Sequence, residues 1–186
     1  MEPVTTISGR VTVLDRADVD TDQIIPKQFL KRIERTGFGE FLFYDWIRSG
    51  EIALEPNPIL AAGRNFGCGS SREHAVWAIR QFGFAAVVAP SFSDIFSSNA
   101  TKNGLLPVAL PDEDVHALMQ SGEATIDLAA QTVRFAGRVA SFDIDTEVKR
   151  RLLEGLDDIA ITLTHAADID IFERRATHPS PSTAGL

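Results

Sequence analysis

Cysteine is nearly missing from this chain: of 186 residues, only Cys68 carries a thiol. One thiol excludes an internal disulfide framework and is too few to hold a zinc site or an iron–sulfur cluster. Positive charge is also in short supply, with 18 Lys and Arg against 26 Asp and Glu and a formal net charge of −8. That balance argues against a dedicated nucleic-acid binder. No apolar run approaches the roughly 20 residues that span a bilayer. Residues 1–6 show neither the basic nor the apolar region of a secretory signal, so a reducing cytoplasm is the expected setting. What remains is ordinary for a globular protein, 44% hydrophobic and 24% charged, and long enough to bury a sizeable core.

Residues 7–14 alternate polar and apolar around Val11 and Val13, the pattern of a half-buried strand. An acidic stretch follows, with Asp15, Asp18, Asp20 and Asp22. The last three are spaced like the start of a calcium loop, but Gln23 and Phe29 stand where an EF-hand needs Gly and Glu. Turn and cap formation by the aspartates is the expected role. Residues 27–33 read as a short helix with Pro26 near its start, and 40–48 as another. The aromatic residues of the second, Phe41, Phe43, Tyr44 and Trp46, are assigned to packing.

From residue 58 the pattern changes. Strands at 59–62, 84–89 and 105–110 alternate with helices at 72–82 and 91–103. This β-α-β-α-β order predicts an α/β fold with a mainly parallel sheet, right-handed crossovers and flanking helices. Beyond it come a helix at 112–120, extra β elements as a hairpin of 125–128 with 132–139, a helix at 146–153 and one or two more in 157–175. There is no internal repeat. One domain is expected over 1–176, with a disordered tail at 177–186 rich in Pro, Ser and Thr.

Ligands of parallel α/β sheets bind beyond the carboxyl ends of the strands. Here that position holds Gly63-Arg64-Asn65-Phe66-Gly67-Cys68-Gly69-Ser70-Ser71-Arg72-Glu73-His74. Gly67 and Gly69 permit a sharp turn and a close approach. Ser70 or Ser71 is the expected N-cap of the following helix, whose free N–H groups and dipole attract anions. Arg72 adds a planar fork for a carboxylate or phosphate. Familiar motifs fail here. Arg72 stands where a dinucleotide fingerprint needs its third glycine, no Gly-Lys-Ser/Thr is present, and Glu73 replaces the second glycine of a nucleophile elbow. Cys68 as nucleophile would want a histidine, and His74 is a candidate only by proximity in sequence. Helix capping by one serine with solvation of Arg72 competes with an anion site that has hydroxyls available for chemistry.

Gly69-Ser70-Ser71-Arg72-Glu73-His74-Ala75 resembles the signature of the swivelling domain of the aconitase superfamily. With Asn65-Phe66-Gly67-Cys68, Asp20-Thr21-Asp22-Gln23-Ile24-Ile25-Pro26, Pro90-Ser91-Phe92, Asn103-Gly104-Leu105-Leu106-Pro107 and Gly155-Leu156-Asp157-Asp158-Ile159, the chain resembles the 3-isopropylmalate dehydratase small-subunit family. Only the tail is left out. The resemblance implies a hydro-lyase of leucine biosynthesis that moves a hydroxyl by eliminating and re-adding water. It implies activity only with a large iron–sulfur subunit that carries a [4Fe-4S] cluster, and no cofactor or metal on this chain. By the same resemblance Ser70 is the catalytic base, Arg72 clamps a carboxylate of a small dicarboxylate substrate, and Ser71 binds substrate or orients Ser70. Residues 28–36, with Leu30, Lys31 and Arg32, are implied to select the substrate, with apolar contacts from Phe29 and Leu30. Related hydro-lyases acting on homoaconitate or on methylmalate and citraconate share these motifs, and a stand-alone anion-binding module is the reading from another class.

Overall fold

A computed structural model describes residues 1–31 and 34–175. Arg32 and the tail at 177–186 therefore lie outside the described residues. Strand β1, Thr6–Leu14, has a different neighbour along each half. Residues 11–14 pair in parallel with β2, Ile59–Ala62, while residues 6–10 pair antiparallel with β5, Glu123–Asp127. The other strands are β3, Ala86–Ala89, β4, Leu106–Ala109, β6, Thr132–Phe135, and β7, Arg138–Ser141. Together they form one seven-stranded sheet in the order β4-β3-β2-β1-β5-β6-β7. Pro107 has no N–H to donate and is tolerated because β4 lies at the edge.

Alternation along β2 and β3 divides the apolar interior. Leu60, Ala62, Val87 and Ala89 face one core, and Ile59, Ala61, Ala86 and Val88 face the other. Helices α3, Glu73–Phe82, and α4, Asp94–Lys102, cover the first face through Val76, Ile79, Phe96 and Ala100. Helices α5, Asp112–Ser121, and α6, Thr146–Glu154, cover the second through Val115, Leu118 and Leu152. Both faces of β2 and β3 are covered, so these strands read as unbroken apolar runs. Full burial of a side chain such as Leu60 contributes on the order of 2 kcal/mol.

The parallel half follows the sequence pattern, as do the helices at 112–121 and 146–154; the departures lie between β1 and β2 and in the β6–β7 segment. The expected strand at 132–139 is two strands turned at Ala136 and Gly137, both at positive φ (45° and 74°). A two-residue loop of that hand suits a hairpin, but Ala in place of Asn or Asp concealed it. The expected helix at 27–33 is a 3₁₀ helix over Lys27–Lys31. The segment at 40–48 divides into a 3₁₀ turn, Gly39–Phe41, and α2, Tyr44–Ser49. Between them Phe43 takes a left-handed φ of 47°, with its ring fully buried and stacked on Trp46. Asp20 does cap a helix, the short α1, Thr21–Ile24, by a reciprocal capping box with Gln23. Residues 157–175 form two helices, α7, Asp158–Thr164, and α8, Ala166–Arg175.

Two packing features yield expected outcomes. Gly67 has φ +75°, and a Cβ there would lie 2.2 Å from the Phe96 ring, whereas Gly50, at φ +78°, has nothing within 4 Å. Both Ala variants carry the left-handed strain of about 1–2 kcal/mol. Gly67→Ala should lose about 1–3 kcal/mol beyond Gly50→Ala, because it alone overpacks a core ring; equal losses in urea unfolding would refute this. His74 packs against the rings of Phe38 (5.3 Å) and Trp77 (4.7 Å), and burial pushes its pKa below the ordinary 6.5, with Arg72 adding to the effect and Glu73 opposing it. The folded state thus holds that proton less tightly than the unfolded chain. Stability present above pH 6.5 is lost as the pH falls from there toward the lowered folded value. The drop in Tm between pH 7.5 and 5 should therefore shrink in His74→Gln, as followed by circular dichroism.

Candidate active site

The carboxyl ends of β1, β2 and β3 deliver three loops to one edge of the sheet. The β2–α3 loop runs between the other two and bonds to both. On one side Gly63 N donates to Arg16 O (3.0 Å), Asp18 N to Arg64 O (2.9 Å), Gly67 N to Val19 O (2.7 Å) and Thr21 N to Cys68 O (2.9 Å). On the other, Phe66 N donates to Ser91 O (3.0 Å) and Ser93 N to Phe66 O (3.1 Å). Side chains reinforce the seam. Asn65, at a left-handed φ of 56°, donates from Nδ2 to Asp18 Oδ1 (2.8 Å), and Ser93 Oγ donates to Gly67 O (2.6 Å) while capping α4.

This seam delivers Ser70, Ser71 and Arg72 to the surface together. Both serines are exposed, and neither hydroxyl has a hydrogen-bond partner among the described residues. The expected cap by Ser70 or Ser71 is not formed. Arg72 occupies the N-cap position of α3 with an extended backbone (φ −91°, ψ 105°) and no side-chain cap bond. The physical reason lies in the preceding turn: the Ser70 carbonyl accepts from Arg72 N (2.8 Å) and from Thr21 Oγ1 (3.0 Å), which fixes the serines outside the helix. The hydroxyls are left free as a result.

Arg72 is not a free cation. Its Nη1 makes a very short ion pair with Asp22 Oδ1, the arginine side chain 19% exposed and the aspartate 55%. One nitrogen is committed, and the remaining donors of the fork stay available to an anion. Asp22 escaped the residue-level reading, which assigned it only to turns and caps. The signal was present in the Asp20-Thr21-Asp22 stretch that carried the family resemblance. Cys68 is held as a thiol: burial, then the charges of Asp20 and Asp18, push its pKa up, the reverse of what a nucleophile requires.

Of the proposed selectivity residues, Leu30 and Lys31 are described. Leu30 is half-buried against the first core and Lys31 is exposed; neither makes a hydrogen bond or ion pair with residues 70–72 among the described residues. Phe29 stacks on Phe41 at 4.0 Å and meets Tyr44 edge-on, a packing role. Cavities of about 560 Å³ (Ser8, Thr125, Arg134) and about 360 Å³ (Phe92, Pro107, Val148) lie elsewhere and include none of Ser70, Ser71 or Arg72. The two serines are exposed and Arg72 is partly buried.

Residues 53–113, which include the whole loop, match the family described as the aconitase C-terminal domain. The chain is 51% identical to the 3-isopropylmalate dehydratase small subunit of Rubrobacter xylanophilus, over 94% of this chain and 95% of that protein. Identity to the small subunit of Halalkalibacterium halodurans is 52%, covering 93% and 98% of the two chains, and to that of Frankia casuarinae 52%, covering 99% and 100%. Among solved structures, a 3-isopropylmalate dehydratase from Methanocaldococcus jannaschii superposes with a TM-score of 0.71 at 27% identity, over 92% of this chain and 99% of that one. With half its residues shared along nearly the full length of these proteins, and with their fold, the chain belongs to the 3-isopropylmalate dehydratase small-subunit family of the aconitase superfamily.

Proposed function

We propose that this chain provides one half of the active site of a hydro-lyase that interconverts 2- and 3-isopropylmalate, with Ser70 as base and Arg72 as carboxylate clamp. The observation that carries this reading is the identity of about 50% to dehydratase small subunits, spanning the loop on which the two side chains lie. Elimination removes a proton from the carbon beside a carboxylate. The C–H electron pair becomes the new double bond, and hydroxide leaves the neighbouring carbon. Water adding back in the opposite sense gives the isomer. Ser70 Oγ is exposed and unengaged, as is Ser71 Oγ, and the family resemblance selects Ser70 to take the proton. A serine hydroxyl does not ionise unaided at neutral pH; the start of α3 and the Arg72 guanidinium provide the positive potential it needs.

Arg72 is fixed by Asp22 before substrate arrives, so less freedom is lost when its other edge meets a carboxylate. Ser71, free beside it, is placed to donate to the same carboxylate or to orient Ser70. A [4Fe-4S] cluster does not fit this chain: Cys68 is the sole cysteine, and the described residues contain no group of three or more His, Cys, Asp or Glu arranged for a metal. We therefore assign the cluster, and with it the Lewis acid for the departing hydroxyl, to a large subunit, which also closes the open face of the site. No described helix is long and apolar enough to cross a membrane, and a cytoplasmic setting belongs to the same proposal. Leu30 and Lys31 remain the proposed selectivity residues, together with Arg32.

Mixing the purified chain with an iron–sulfur large subunit under anaerobic conditions should produce a complex that turns over 2-isopropylmalate, while either part alone is inactive. A mixture that forms neither complex nor product would sink the reading, and faster turnover of homocitrate or citraconate would reassign the substrate. In the assembled complex, Ser70→Ala should lower kcat by about 10²–10⁴-fold. Arg72→Lys should raise KM and lower kcat together, because an ammonium lacks the planar fork that can grip a carboxylate bidentately while another edge holds Asp22; near-normal constants would remove Arg72 from the site.

A further inference from the structure

The Thr21 hydroxyl is almost fully enclosed, the residue being 2% exposed. A valine would fill the same space without desolvating a polar group, so a hydroxyl kept there needs a bond to offset that cost. Its bond goes to the carbonyl oxygen of Ser70 at 3.0 Å. The backbone N–H of the same residue donates to Cys68 O at 2.9 Å. One residue thus grips the loop on both sides of Gly69, which sits at φ +90° with no side chain of its own. A glycine pivot offers little resistance to rotation. Without the hydroxyl, Ser70 would hang from that pivot, with its carbonyl held only by Arg72 N. Because the same carbonyl accepts from Thr21 and from Arg72, the hydroxyl also couples the direction of Ser70 Oγ to the start of α3.

We propose that Thr21 is a positioning residue: its buried hydroxyl locks the Gly69 pivot and so aims the Ser70 hydroxyl at the substrate proton. The proposal rests on Ser70 being the base. Its effect falls on the chemical step rather than on substrate affinity, which lies with Arg72. A displacement of about 1 Å at a reacting group costs on the order of 10²-fold in rate.

The test uses the assembled two-subunit enzyme and four forms of this chain: wild type, Ser70→Ala, Thr21→Val and Thr21→Ser. Thr21→Val keeps the shape and loses the hydroxyl, whereas Thr21→Ser keeps the hydroxyl and loses the methyl. The expected result is a fall in kcat of roughly 10–10²-fold for Thr21→Val with KM within about twofold, and near-wild-type kcat for Thr21→Ser. Wild-type kcat in Thr21→Val, or equal damage in both variants, would overturn the proposal, the latter assigning Thr21 to packing. Should Thr21→Val fail to assemble, Thr21→Ala against Thr21→Ser gives the same comparison. If Ser70→Ala keeps full activity, the parent reading fails; if Ser70→Ala is inactive and Thr21→Val is normal, only the present inference does.

Discussion

Where the parallel strands end, main-chain hydrogen bonding continues. The loop after β2 is sewn to residues 16–21 on one side and 91–93 on the other, so a segment with almost no regular structure is held nearly as firmly as a strand. Every functional placement in the molecule depends on that seam. It brings Asp22 and Thr21, which follow the first strand, against residues 70–72, which follow the second. It also seats Gly67 on the Phe96 ring, so the hydrophobic interior and the site share one contact. Exposed side chains are therefore presented from a buried frame, the arrangement that acid–base chemistry needs on an otherwise solvated surface.

Electrostatics at this edge is a balance rather than a simple positive patch. Asp18 and Asp20, on the neighbouring segment after β1, raise the Cys68 pKa, and Asp22 adds a third negative charge against Arg72; such a field opposes ionisation of a nearby hydroxyl. Each has a local answer. Asp18 accepts from Asn65, Asp20 is consumed in the capping box, and Asp22 is tied to Arg72. Their charges are thus spent on holding backbone and guanidinium in place. The start of α3 lies beside the two free serines, so the helix dipole is the contribution there that favours an anion.

How far the sequence could be read depended on how local each cause was. The strand at 59–62 was legible to the residue, since its unbroken apolar run is a local property, and the helix whose amphipathic face holds Val76 and Ile79 was legible to within one residue. The capping serine was not, because the choice among Ser70, Ser71 and Arg72 is made by a bond to Thr21, 49 positions away. The Arg72 ion pair spans 50 positions and left no mark in composition. The Ala136–Gly137 turn was missed for the opposite reason: its cause is local, but its first residue is not one that favours positive φ. For the selectivity segment, motif resemblance supplied Leu30, Lys31 and Arg32. The first two are described and make no hydrogen bond or ion pair to the trio.

The division of β1 between two neighbours sets the order in which this chain can fold. Its second half meets β2 after fewer than 50 residues, while its first half must wait for β5, with Ser8 and Thr125 lying 117 positions apart. Closing the longer loop costs little additional entropy at equilibrium, but contacts so distant in sequence form late. During synthesis, residues 6–10 leave the ribosome as an unpaired edge and stay so until residue 123 follows. Ser8 and Arg10 keep polar groups along that edge, a chemistry that discourages it from pairing with another chain while it waits.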